Sequence, residues 1–172
     1  MINNLGRYLF NLIIIILIQV IILNNLNLGG YINPFLYVLF ILTLPVDIPD
    51  WLLLVIGFFL GLLMDVFLNS LGMHTSAAVF IAFLRPFLLR YLAPRDGYEP
   101  GSSPTPSYFG LLWFLKYSAI SVFAHHLFLF LIEAFSFANL LTTLWKTTLS
   151  TLITLLIITI AMLFSHRKEK RF

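Results

Sequence analysis

Six charged side chains fall in or beside stretches otherwise built of Leu, Ile, Phe and Val: Asp65, Arg85, Arg90, Lys116, Glu133 and Lys146. An ionised group at the centre of a bilayer costs about 2.5–3.5 kcal/mol on insertion scales, so each needs a reachable headgroup or a partner. Arg90, Lys116 and Lys146 stand within about two turns of the ends of their apolar stretches, where long side chains snorkel to the interface. Arg85 lies about 10 Å from the nearer end of its stretch at 1.5 Å per residue. Reaching the headgroups is its expected role, with a substrate or proton path as the alternative. Asp65 lies about 21 Å from Trp51 on the same rise. Its side chain is too short to snorkel that far, so it must face protein or water and find a donor. Gly57, Gly61 and Asp65 are spaced i, i+4, i+8 and share one helix face, where the glycines let another backbone approach closely. As a packing and hydrogen-bonding element, Asp65 should tolerate Asn better than Leu.

His125 and His126 are adjacent, and Glu133 follows His126 by seven residues, so His126 and Glu133 share a face. Hydrogen bonding between helices is the expected use, with a proton relay as the alternative. A metal site would want more ligands at matched depth and has no His-Glu-x-x-His here. Thr143, Thr147, Ser150, Thr151 and Thr154 fall within about 100° of helical arc and read as a packing seam. There is no cysteine, and with it go disulfides, thiolate metal sites and cysteine nucleophiles. The chain has no phosphate loop, no Gly-x-Ser-x-Gly elbow and no dinucleotide fingerprint. The expected catalytic, cofactor and metal sets are therefore empty.

The elements that must position these residues follow from composition. Of 172 residues, 60% are hydrophobic and only 10% charged, where about 25% charged is normal for a soluble domain. So few charges cannot cover the surface of a small soluble protein, and the solvent for most of this chain is lipid. A spanning helix needs about 20 mainly apolar residues. The charge-free stretches, divided at Asn24 to Gly30, at the Pro45 to Asp50 turn and at Asn69 to Gly72, give six helices: about 8–23, 32–44, 49–68, 74–92, 110–135 and 142–164. Five spans result instead if helix 32–44 is re-entrant. Residues 93–109 hold four of the eight prolines and are expected to be neither helix nor strand. Residues 165–172 form a basic tail. The whole is expected to be one transmembrane domain, 1–172, an all-α integral membrane protein folded as a compact bundle.

Nine of the ten Lys and Arg residues fall on the side of Arg7, the 93–109 loop and the tail, and Lys146 alone falls on the other. The positive-inside rule then places both termini in the cytoplasm. The basic tail His166 to Arg171 reads as a stop signal lying on anionic lipid. A net charge of +3 distributed in this way points away from nucleic acid. The apolar run after Arg7 leads into asparagines rather than a small-x-small cleavage site, so it reads as an anchor and not a secretory signal.

The segment Gly57-Phe58-Phe59-Leu60-Gly61-Leu62-Leu63-Met64-Asp65-Val66-Phe67-Leu68-Asn69-Ser70-Leu71-Gly72-Met73-His74 reads Gly-x3-Gly-x3-Asp-x6-Gly, closed by an apolar residue and a histidine. It resembles the core signature of the rod shape-determining protein MreD family, which the chain also resembles in length, helix number, the acidic-proline turn and the basic tail. The resemblance implies a non-catalytic subunit of the bacterial cell-elongation machinery in the inner (cytoplasmic) membrane. Such a subunit binds MreC and helps connect the MreB filament, indirectly, to RodA and its partner transpeptidase, so supporting peptidoglycan synthesis and cell shape. It also implies a fold resembling the S component of energy-coupling-factor transporters. The residues carried over as helix-packing or partner-contact candidates are Gly57, Gly61, Asp65, Gly72 and His74. Arg85, His125, His126 and Glu133 have no counterpart in the signature and stand as weaker polar candidates. The loop from Pro94 to Pro106 is longer than the family pattern. An alternative of a different class is a substrate-binding S component of a vitamin transporter, which would need a polar pocket with aromatic walls on the outer side.

Overall fold

A computed structural model describes residues 5–26, 32–135 and 139–169, and every regular element among them is helical. Residues 27–30 of the expected Asn24 to Gly30 turn, residues 136–138 between the last two expected helices and the tail end 170–172 lie outside the described residues. Helix α1 (Leu5–Leu17) runs on into a wide π turn (Ile18–Ile22) and a tight 3-10 turn (Leu23–Asn25). Then come α2 (Val38–Thr43), α3 (Asp50–Leu68), α4 (Met73–Tyr91), α5 (Pro106–Phe109), α6 (Leu111–Ala134) and α7 (Leu140–Glu169). Among the described residues, four stretches are long and apolar enough to cross a membrane: Gly6–Asn25, Asp50–Leu68, Leu111–Ala134 and Leu140–Phe164. Helix α4 equals α3 at 19 residues but carries His74, Thr75, Ser76, Arg85 and Arg90.

The expected helix 32–44 is corrected to the six residues of α2, about 9 Å of helix where a hydrocarbon core is about 30 Å thick. Pro34 has no N–H to offer a helix ladder, and the N–H groups beside it are taken by side chains from other elements. Pro45 ends α2 by holding Leu44 extended, at ψ 153°. Every residue from Pro34 to Leu42 is buried. This short broken segment therefore forms the middle of the bundle, with α1, α3, α4, α6 and α7 around it. Two further boundaries differ. The 93–109 stretch contains the single helical turn α5, started by Pro106 at its first position, and α7 extends through the expected tail to Glu169.

Charge separates the two ends of the bundle. At one end Tyr8 Oη meets Ser103 Oγ at 3.5 Å and the Val46 N–H donates to Ser102 O at 2.9 Å, so the start of α1, the α2–α3 turn and the proline-rich loop lie together. That loop is fixed by Tyr98, whose hydroxyl donates to Leu89 O at 2.7 Å, and by Trp113, whose indole N–H donates to Leu92 O at 2.7 Å. Partial burial pushes the Tyr98 phenol up to about 12. Arg7, Arg90, Arg95, Lys116 and the last turns of α7 with Arg167 and Lys168 belong to this end. The opposite end, where Asn24, Asn69 and Glu133 meet, has Lys146 as its basic residue among the described residues.

Candidate functional site

The buried segment is held by side chains. Gln19, 0% exposed, accepts the Leu36 N–H at 2.6 Å and the Tyr37 N–H at 3.4 Å on Oε1, and its Nε2 donates to Pro34 O at 3.1 Å and Asn24 Oδ1 at 2.8 Å. From the other side, Ser150 Oγ accepts the Asn33 N–H at 3.0 Å and Thr154 Oγ1 accepts the Phe35 N–H at 3.2 Å. Unwound backbone at membrane depth persists only where protein or water satisfies its polar groups, and three side chains do that here. The π turn places Gln19 inward, and the hydroxyls come from the Thr143 to Thr154 seam, all five members of which are buried.

Suspended in this way, the Tyr37 hydroxyl sits 3.0 Å from His74 Nδ1 and 2.7 Å from His125 Nε2. The second nitrogen of His125 is buried without a partner. A bare acceptor is tolerated better than an orphaned N–H, which favours one tautomer set. In it His125 Nε2–H donates to Tyr37, the Tyr37 hydroxyl donates to His74 Nδ1, and His74 keeps its proton on Nε2. His126 is separate from this chain. Its Nδ1–H donates to Val122 O at 2.8 Å, one turn back in α6, and Nε2 accepts from Thr154 Oγ1 at 3.2 Å. The Phe35 ring packs against His74, His125 and His126 at centroid distances of 4.8, 6.2 and 5.4 Å. No group of three or more His, Asp or Glu side chains among the described residues could hold a metal ion.

The Gly57, Gly61, Asp65, Gly72 and His74 set folds into one α3–α4 hairpin. A Cβ on Gly61 would lie 2.5 Å from Thr75 Cα and 2.6 Å from His74 O, and one on Gly57 would lie 3.0 Å from both Ala78 O and Ala82 Cβ. The two helices therefore touch backbone to backbone. Asn69 (φ 52°) and Gly72 (φ 85°) turn the chain through the left-handed region. Asp65 closes the turn: Oδ1 accepts from Ser70 Oγ at 2.7 Å and the His74 N–H at 2.9 Å, while Oδ2 accepts from the Thr75 N–H at 2.9 Å and Thr75 Oγ1 at 2.5 Å. A helix start leaves such N–H groups bare and favours negative charge. Gly72, at the capping position of α4, has no side chain to serve them, and Asp65 does so from the preceding helix.

Arg85 departs from the expected headgroup contact. It is 1% exposed, and its Nη2 donates to Leu44 O and, at 3.2 Å, to Pro45 O. Tyr117 donates to Leu42 O at 3.2 Å. The early stop of α2 strips these carbonyls of helix partners, and their negative dipole end attracts the guanidinium. Glu133 makes the expected kind of hydrogen bond between helices, but with Lys146 of α7 and not with His126: Lys146 Nζ donates to both of its oxygens at 2.9 and 2.8 Å, while that ammonium stands 4.4 Å from the Phe130 ring centroid.

At the Asn24 end a cavity of about 270 Å³ opens between the 3-10 turn, the start of the suspended segment, the α3–α4 turn and α6. Its lining includes Asn24, Asn33, Phe35, Asn69, His74 and Glu133. Sequence reasoning missed Gln19, Phe35 and Tyr37. The signal for Gln19 was available, since it is the one polar residue between Leu12 and Leu23. Comparison of the chain with protein-family models, with curated proteins and with solved structures gives no match.

Proposed function

We propose that this protein is a non-catalytic scaffold subunit of the bacterial cell-elongation complex, of the MreD kind, that binds the membrane span of MreC. The observation that carries the reading is the use made of the five signature residues. Gly57 and Gly61 admit α4, Asp65 caps it, and Gly72 and His74 begin it, so the signature is the specification of a rigid hairpin rather than of a reaction centre. A rigid apolar body with exposed Trp51, Val55, Phe58, Phe59 and Val66 along α3 suits a partner helix in the bilayer. The excess of Lys and Arg at the proline-loop end supports a cytoplasmic N-terminus and C-terminus.

Deleting the gene in a rod-shaped host should give round or swollen cells, and tagged MreC should recover the wild-type protein from membranes but little of Gly61→Leu. Normal cell shape together with no recovery of the wild type would refute the proposal. One observation favours the vitamin-transporter alternative, namely the cavity walled by Phe35 and His74. That reading predicts normal shape with a nutritional requirement on deletion.

A further inference from the structure

The cavity at the Asn24 end has a chemistry of its own. Its walls are Leu23, Leu26, Leu68 and Leu129, with Phe35 deeper. At about 270 Å³ it is slightly smaller than the about 300 Å³ at which sites for drug-sized ligands begin, so it fits a single-ring molecule. Among the described residues, the one charged group in its lining is the Glu133 carboxylate. Each carboxylate oxygen has two acceptor sites, and Lys146 occupies one on each, which leaves capacity for a second donor. Behind Ser70 stands the Asp65 carboxylate, which already engages the Ser70 and Thr75 hydroxyls and the His74 and Thr75 N–H groups, so these donors are not offered to a ligand while the carboxylate keeps its negative charge. An anion entering would meet this negative field with Lys146 already engaged.

We infer that this cavity is a binding site for a small, single-ring organic cation or N–H-rich heterocycle, with Glu133 accepting its N–H groups and Phe35 packing against its ring. The inference is independent of the scaffold role, because it concerns what the cavity holds and not what assembles on the lipid-facing surface.

The probe is benzamidine, a flat ring carrying a forked cationic donor, with benzoate as its near-isosteric anion. Binding is followed by ligand-observed magnetic resonance on the full chain in nanodiscs. Benzamidine should bind saturably with a Kd of about 1 mM or tighter, and benzoate should not bind. Leu26→Trp, at an exposed lining position, should abolish binding by filling the cavity without disturbing the core. Glu133→Gln should weaken binding about ten- to hundredfold, the range for a lost charge-assisted bond. Lys146→Gln, which releases the carboxylate from its competitor, should tighten it about threefold. An ion pair with only a structural role would move the last two variants in the same direction. Equal binding of benzoate, no saturable benzamidine binding, persistence of binding in Leu26→Trp, or a common direction for the Glu133 and Lys146 variants would each overturn the inference. None of these outcomes depends on MreC recovery.

Discussion

Replacing Asp65 by Asn is the sharpest test of the hairpin, because the two side chains have the same shape and differ where the structure is least forgiving. Both carboxylate oxygens face a backbone N–H, His74 on one side and Thr75 on the other. Asn can offer its oxygen to one of them and must turn its NH2 toward the other, setting donor against donor. The hydroxyls of Ser70 and Thr75 can rotate and accept instead, but a peptide N–H cannot. The change therefore orphans one N–H at about 1–3 kcal/mol and weakens the remaining bonds from charged to neutral, for a total of about 2–4 kcal/mol. Leu orphans both N–H groups and should cost about 4–6 kcal/mol by the same reasoning. Reversible unfolding of purified protein in mixed micelles, with amide exchange read at His74 and Thr75, measures both. Asn within about 0.5 kcal/mol of wild type, inside the scatter of ordinary surface substitutions, would refute this account of the turn. The expected order, Asn better tolerated than Leu, follows from the same geometry.

Two further predictions concern packing. Gly61→Ala should destabilise more than Gly57→Ala, because its Cβ meets the backbone of Thr75 at 2.5 Å whereas Gly57 meets Ala78 O and the Ala82 methyl at 3.0 Å; about 3 kcal/mol or more against about 1 kcal/mol is expected from overpacking, and equal losses in the same unfolding assay would contradict the close approach. Gln19→Leu should cost about 2–4 kcal/mol by leaving the Leu36 and Tyr37 N–H groups unpaired and should raise amide exchange at those two residues above that at Val55 on α3. Unchanged exchange there would mean that Gln19 does not hold the segment.

The sequence made the α3–α4 hairpin legible because its determinants are local: two glycines, a carboxylate and a turn lie within 18 consecutive residues. Depth alone required Asp65 to have donors, though not that both oxygens would be filled. Residues 32–44 were misread for the opposite reason. Apolar residues with a proline in the first turn satisfy every local rule for a helix, and what unwinds them is hydrogen bonding to other elements, to Gln19 17 residues before Leu36 and to Ser150 and Thr154, 117 and 119 residues after Asn33 and Phe35. Arg85 was misread with them, since its carbonyl partners become bare only once α2 is known to stop at Thr43. Helical spacing relates Glu133 only to His126, seven residues before it in α6; Lys146 belongs to the next helix, and only the packing of α6 on α7 brings it to the carboxylate.

The suspended segment also sets an order on synthesis. Asn33 and Phe35 depend on hydroxyls 117 and 119 residues further along the chain, so while the ribosome is still making α3 to α6 their N–H groups have no partner of that kind. Until α7 is made, these two groups must be satisfied by water or by other parts of the chain. A chain lacking α7 would leave these two N–H groups without their hydroxyl acceptors, at a cost of several kcal/mol for each one left unsatisfied in hydrocarbon.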